Sequence, residues 1–444
     1  MNKIFKVVWS KSKQCYVVVS EIAKNTTGKK KIIVASILAG LAMLTSGGVS
    51  NVVAVAPIPP VDRASQGLAY GTAKPGTTNG VAIGSSSYID SNQSIAIGYR
   101  SYASGTFLGG NIKPSLAIGA GADARGNNTI SIGTVANNAA SYAVALGNES
   151  NVGSGADYGV AVGYGSSVSA QQGIAIGTNT KSTSSLAMAI GNGAQASGEN
   201  AISIGRTTSA SGGDAVSIGT SSQATGGDAV SIGASSQATG ADSLALGKNA
   251  QASNGDTIAI GQDSVANSLN GVALGKTSKA TGASATALGP QSTASATYTT
   301  AIGMNSVANQ EYAIAIGGSS QATVQRGVAL GTYSKADTAS GISGYDANAN
   351  RTNKYAGLTG NTLTSTWGAV SIGDGTNTRQ MTGLAAGTKD TDAVNVAQLK
   401  SVNLAVTGDN SSSGDVNLAN SKLAVTGDTT YITTTAAGQG IAIK

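Results

Sequence analysis

Residues 201–247 read AISIGRTTSASGGDAVSIGTSSQATGGDAVSIGASSQATGADSLALG, and the architecture of the chain follows from them. A run of alternating large and small side chains ends in Gly205, Gly219, Gly233 and Gly247, a step of 14 residues each time. In Ala201-Ile202-Ser203-Ile204 and Ala229-Val230-Ser231-Ile232 the large residues leave one face and the small ones the other. Period two marks a strand. A second alternating run follows each Gly, with Ser three residues on and Ala five residues on, as at Ser222 and Ala224 or Ser236 and Ala238. Another Gly often closes it, as at Gly198, Gly212, Gly226, Gly240 and Gly282. Gly at both corners supplies backbone conformations closed to other residues. A helix does not fit: the apolar residues sit two apart rather than three and four, and Gly and β-branched residues are poor helix formers.

Outward from this stretch, the same Gly recurs at 84, 98, 119, 133 and 147, and then every 14 residues from 163 to 331. The step from 98 to 119 is 21 residues and that from 147 to 163 is 16. Both are expected to be loops that leave the stack intact. A further copy, Ala369-Val370-Ser371-Ile372-Gly373, ends 42 residues after Gly331, three repeat lengths. A repeat of this kind stacks one supersecondary unit on the next. The expected fold is all-β: a parallel β-solenoid of 14-residue coils with two strands per coil, stacked at about 4.8 Å. The Ile and Val face is expected between the two sheets. The Ala and Ser face of the first strand would then be left outside, open to close approach by another sheet in a three-fold assembly. A monomeric solenoid with a bare Ala/Ser face is the alternative.

Composition narrows the function. The 444 residues hold 62 Gly, 11% charged residues, 4% aromatics, one Cys and no His. Without His there is no Ser-His-Asp triad, Cys-His pair or His metal ligand. One Cys supports neither a disulfide framework nor a Cys-rich zinc site. The net charge of +6 is misplaced for a nucleic-acid partner. Residues 1–31 hold eight Lys against Glu21, and the remainder carries a net charge of −1. Phosphate binding needs a basic face on the body of the protein.

The N-terminus has the order of a secretory signal: Lys29-Lys30-Lys31, an apolar stretch over 32–44, then small residues and Val52-Val53-Ala54. An apolar stretch of this length is short for a membrane span, and cleavage is expected after Ala54. An uncleaved anchor helix is the competing reading. Cleavage would remove Cys15.

Several motifs invite a chemical reading. Gly275-Lys276-Thr277 imitates the end of a phosphate loop, but the Gly required five residues earlier is Asn270. Asp214, Asp228, Asp242 and Asp256 recur at 14-residue spacing. They could hold a cation or basic ligand groups; solvated corner residues are the favoured reading. The closely spaced acids of a calcium loop are absent. Trp367 either plugs the base of the solenoid, which its place before a core strand favours, or anchors a partner. Phe107 lies in the 21-residue step, the best candidate for a variable contact surface. No residue is assigned a catalytic, cofactor-binding or metal-binding role, and the ligand-binding residues are left unassigned.

The repeat, as in Asn92-Gln93-Ser94-Ile95-Ala96-Ile97-Gly98 and Asn270-Gly271-Val272-Ala273-Leu274-Gly275, resembles the head of trimeric autotransporter adhesins of the YadA type. Residues 379–400, RQMTGLAAGTKDTDAVNVAQLK, resemble the family's neck, above all from Asp392 to Leu399. Residues 1–28, with Trp9 and Tyr16 ahead of the basic run, resemble the extended signal of large autotransporters. The resemblance implies a homotrimer of left-handed parallel β-rolls. Its parts would be an extended signal (1–54), head (55–331), excursion and last repeat (332–378), neck (379–400) and start of a stalk (401–444). In the neck Asp392 is expected to cap a short helical turn, with Val396 and Leu399 spaced to face the axis. The family's β-barrel membrane anchor finds no counterpart in 401–444, so the chain is expected to be an N-terminal fragment or a truncated product. The function implied is a non-enzymatic surface adhesin without cofactors. It would bind host matrix proteins such as collagen, fibronectin or laminin, or other cells. A spacer that shields the surface, and an enzyme built on a β-solenoid, are the rivals; short coils faced with Ala and Ser leave little room for a catalytic groove.

Overall fold

Alternation every two residues, broken by Gly corners, produces strands of two or three residues. A computed structural model describes residues 5–10, 15–20, 71–73, 77, 79–105, 113–344, 360–407, 413–417, 434–437 and 440–443. The apolar signal stretch 32–44, the cleavage position after Ala54 and Phe107 lie outside the described residues. The chain divides into two units, Met1–Ser182 and Thr183–Lys444.

In the first unit, Phe5–Ser10 and Cys15–Ser20 pair antiparallel. The repeats then build two parallel ladders. The first strands run from Val81–Ile83 to Ile174–Ile176, each in register with the next, as Ile130 lies opposite Val144. The second strands run from Thr72–Ala73 to Lys181–Ser182. Both irregular steps leave the register untouched: Ile95 pairs with Leu116 across the 21-residue step, and Val144 with Val160 across the 16-residue step.

The second unit repeats the pattern. First strands run from Met188–Ile190 to Val328–Leu330, and second strands from Gln195–Ala196 to Lys335–Ala336. Val370–Ser371 then pairs directly with the last full coil, Val370 opposite Val328 and Ser371 opposite Ala329. The 42-residue step therefore adds one rung and an excursion rather than three rungs. At the base of that excursion Ser343 bridges Thr364 antiparallel.

The two faces of the first strand are inverted relative to expectation. The small middle residues point between the sheets: Ala189, Ser203, Ser217, Ser231 and Ala245 are fully buried. The flanking Ile, Val and Leu point outward. A coil of 14 residues closes too tightly to hold two layers of branched side chains. Among the described residues the largest fully buried side chains are Ile89, Val152 and Val168, and most of the core is Ala with Ser and Thr. Some buried hydroxyls pair across the gap, as Ser231 Oγ with Ser236 Oγ at 2.7 Å and Ser203 Oγ with Thr208 Oγ1 at 2.8 Å. In many coils the Ser after the corner donates to the corner Gly carbonyl, as Ser278 to Gly275 at 2.9 Å and Ser320 to Gly317 at 2.8 Å.

The corners explain the strict repeat. Gly233 has φ +136°, and a Cβ there would sit 2.4 Å from the carbonyl oxygen of Gly247 in the next coil. Only Gly permits both the conformation and the approach. Each corner also holds a residue in the left-handed region, where Asn and Asp are the best tolerated side chains after Gly.

Candidate interaction surfaces

Because the branched residues face outward, the first sheet presents two aliphatic columns. In the second unit one column is Ile or Leu in every coil from Ile190 to Leu330. The other runs from Met188 to Val328 and is interrupted by Thr286 and Thr300. Leu246 and Leu274 keep 40% and 39% of their surface open. The first unit has its own outward-facing aliphatic residues on this sheet, among them Val81, Ile83, Ile130, Leu146 and Ile176, all exposed. Contiguous apolar surface of this kind marks an interaction face. The outer face of the second sheet is polar by contrast: Gln223, Gln237 and Gln251 stack in register, followed by Val265 and Lys279.

The corners carry a second kind of surface. Tyr142 stacks on Tyr158 with ring centroids 5.2 Å apart, and Tyr298 on Tyr312 at 5.1 Å. Arg326 continues the second stack, its guanidinium 5.2 Å from the Tyr312 ring and 5.3 Å from the Trp367 ring. Trp367 remains 64% exposed. It therefore does not plug the base of the coil within this chain, and cation–π contact with Arg326 holds it at the corner. The end of the coil is closed instead by Arg379. Its guanidinium donates to the carbonyl oxygens of Thr332 (2.6 Å) and Ile372 and to Ser334 Oγ (3.2 Å). Sequence reasoning missed this residue, because its signal is only that a cation follows the last repeat.

Beyond Arg379 lies a short helix, Val396–Lys400. Asn395 caps it: its Oδ1 accepts the Gln398 N–H at 2.8 Å, and Gln398 Oε1 accepts the Asn395 N–H at 3.2 Å. This reciprocal pair is a capping box. Asp392 is not the cap. Its Oδ2 accepts the N–H groups of Thr388 (2.9 Å) and Lys389 (3.1 Å), closing the turn before the helix. Those two donors, Thr388 first, hold its carboxyl below the usual carboxylate range. Val396 and Leu399 sit three apart on the helix and are each 66% exposed in the single chain.

The acidic ladder has a backbone explanation. Asp214, Asp228, Asp242 and Asp256 occupy the left-handed corner position of four successive coils, with φ of 53–54°. Their N–H groups bond the preceding coil, as Asp228 to Gly213 O at 2.9 Å. Among the described residues no group of His, Cys, Asp and Glu is disposed to hold a metal ion. Gly275-Lys276-Thr277 is one more corner: Gly275 has φ +139°, and Thr277 Oγ1 donates to the Lys276 carbonyl at 2.7 Å.

Comparison with known proteins agrees with this layout. The extended signal peptide of the type V secretion system matches residues 1–48. The YadA head domain repeat matches stretches from 91–107 to 308–334, and the coiled stalk of trimeric autotransporter adhesin matches 380–422. The autotransporter adhesin EhaG of Escherichia coli O157:H7 is 31% identical over 115 residues, which are 24% of this chain and 7% of that protein. The chain thus aligns with a small part of that relative's length. The crystal structure of the collagen-binding domain of the Yersinia adhesin YadA is 32% identical, covering 46% of this chain and 82% of that one, with a TM-score of 0.23. With an autotransporter signal, head repeats through both units and a stalk match where the coils end, this chain belongs to the YadA-type trimeric autotransporter adhesins and is exported to the cell surface.

Proposed function

We propose that three copies of this chain associate through the aliphatic face of the first sheet, and that the trimeric head attaches the cell to host matrix or to other cells. The observation that carries this reading is the column of Ile and Leu from Ile190 to Leu330, uninterrupted and outward-facing. Covering residues such as Leu246 gains about 0.5–1 kcal/mol each, and the gain accumulates along the ladder. The polar outer face of the second sheet would remain in water and meet the ligand. Residues 55–331 form the head, 332–378 the excursion and last repeat, 379–400 the neck and 401–444 the start of the stalk. The rolls are left-handed, and the role is non-enzymatic.

Collagen is the first ligand to test, since the YadA domain of similar sequence is a collagen-binding domain. Fibronectin, laminin and self-aggregation follow. A regular array in three copies gains by many weak contacts. Light scattering after size exclusion should give three times the chain mass, persisting on dilution. Saturable binding to one of the three matrix proteins supports the adhesin role, whereas a trimer that binds none of them and does not self-aggregate would leave a spacer.

A further inference from the structure

We propose that Asn254 is a site of spontaneous deamidation, selected by the corner in which it lies. Residues 254–257 are Asn254-Gly255-Asp256-Thr257, and Asn254 stands where Gly226 and Gly240 stand in neighbouring coils. Its side chain is exposed, and its Oδ1 accepts the Gly255 N–H at 2.8 Å. With a C=O bond of about 1.2 Å, the carboxamide carbon is within about 4 Å of the Gly255 nitrogen. That approaches the separation of a near-attack conformer, about 3–3.5 Å. Gly255 has no side chain to shield the approach.

The chain contains its own control. Asn270-Gly271 is also an Asn-Gly pair, in the corner of the following coil. There Asn270 itself is left-handed, with φ 56°, and the Gly271 N–H donates to the Ser268 carbonyl at 3.0 Å. The nucleophilic nitrogen is held by a different acceptor.

In the reaction the Gly255 nitrogen gives up its proton to solvent base and bonds to Asn254 Cγ. The bond from Cγ to the side-chain nitrogen breaks, and that nitrogen leaves as ammonia after taking a proton from water. Water then opens the cyclic imide. Cleavage at Cγ leaves aspartate at position 254, and cleavage at the main-chain carbonyl leaves isoaspartate. The net change is amide plus water to carboxylate plus ammonium, with no oxidant or reductant. The product adds a negative charge beside Asp256. Isoaspartate also inserts a methylene where Gly240 packs against the Asn254 carbonyl and where Thr257 Oγ1 donates to it at 2.6 Å.

The test is incubation of the purified full chain at mildly alkaline pH, folded and in denaturant. Fragmentation mass spectrometry of the peptide 249–276 resolves both pairs. In the folded chain position 254 should convert at least about tenfold faster than position 270, and in denaturant the two rates should converge. The Asn254→Gly variant, which restores the neighbouring pattern, should fold and lose only the first signal. Equal rates at the two positions in the folded chain, or protection of position 254 by folding, would overturn the proposal.

Discussion

The guanidinium of Arg379 donates to the main-chain carbonyl of Thr332, Nη2 to O at 2.6 Å, across 47 residues of sequence. A stacked coil ends with unpaired carbonyls on its last rung, as a helix does at its C-terminus. Arg379 supplies donors at that end, bonding Ile372 and Ser334 as well. Arg379→Leu keeps much of the bulk and removes the donors. Hydrogen bonds to a charged group contribute about 1.5–3 kcal/mol each, less at an exposed site. The variant should speed amide exchange in residues 328–336 by about tenfold or more and leave coils near Gly233 unchanged. Uniform exchange along the second unit would reject the capping role.

Two glycines of neighbouring repeats should respond in opposite directions. Gly233→Ala places a Cβ 2.4 Å from the Gly247 carbonyl oxygen on a backbone of φ +136°, and should cost on the order of 3 kcal/mol. Gly213 faces open space, with nothing within 4 Å of a Cβ. Gly213→Ala should therefore be neutral or stabilise by up to about 1 kcal/mol, through the unfolded chain. Denaturant unfolding of both variants checks the pair.

Period two in Ala229-Val230-Ser231-Ile232 revealed that the strand has two unlike faces, and the 14-residue step revealed stacking; neither tells which face is inside. That depends on the gap between the sheets, which corner geometry sets. With corners as tight as those at Gly233 and Asp228, the gap admits Ser231 and Ala238 but not a layer of Ile. That the 21- and 16-residue steps leave the stack in register was legible, because register survives an insertion at a corner. The roles of Asp392 and Asn395 were not. Both are good cap residues, and only the path of residues 388–395 decides between them. Trp367 likewise reads as core until Arg326 is seen beside it.

The inversion of faces separates coil stability from assembly. Ala245→Leu adds bulk to a fully buried position and should unfold the coils around it, costing about 1–3 kcal/mol or more. Its chain neighbour Leu246 faces out, and Leu246→Lys should leave the β-rich circular dichroism of the chain intact while lowering the mass seen by light scattering. If Leu246→Lys retains full trimer mass at every concentration, even when combined with Ile232→Lys, the aliphatic columns are not the interface.

The turn before the helix should loosen in acid. Asp392 titrates below its ordinary value because its charged form accepts N–H bonds from Thr388 and Lys389. A carboxyl whose folded pKa is depressed contributes order fully above its unfolded value, about 4, and loses it as pH falls through the lower folded value. The amide resonances of Thr388 and Lys389 should therefore move together as pH drops below about 4, while that of Gln398, bonded to the neutral Asn395, stays fixed until the helix itself frays. Asp392→Asn should abolish this acid dependence. Asn395→Ala should act elsewhere, costing the helix about 1 kcal/mol at any pH through loss of its cap. Identical pH profiles for the native chain and Asp392→Asn would show that another group governs the turn.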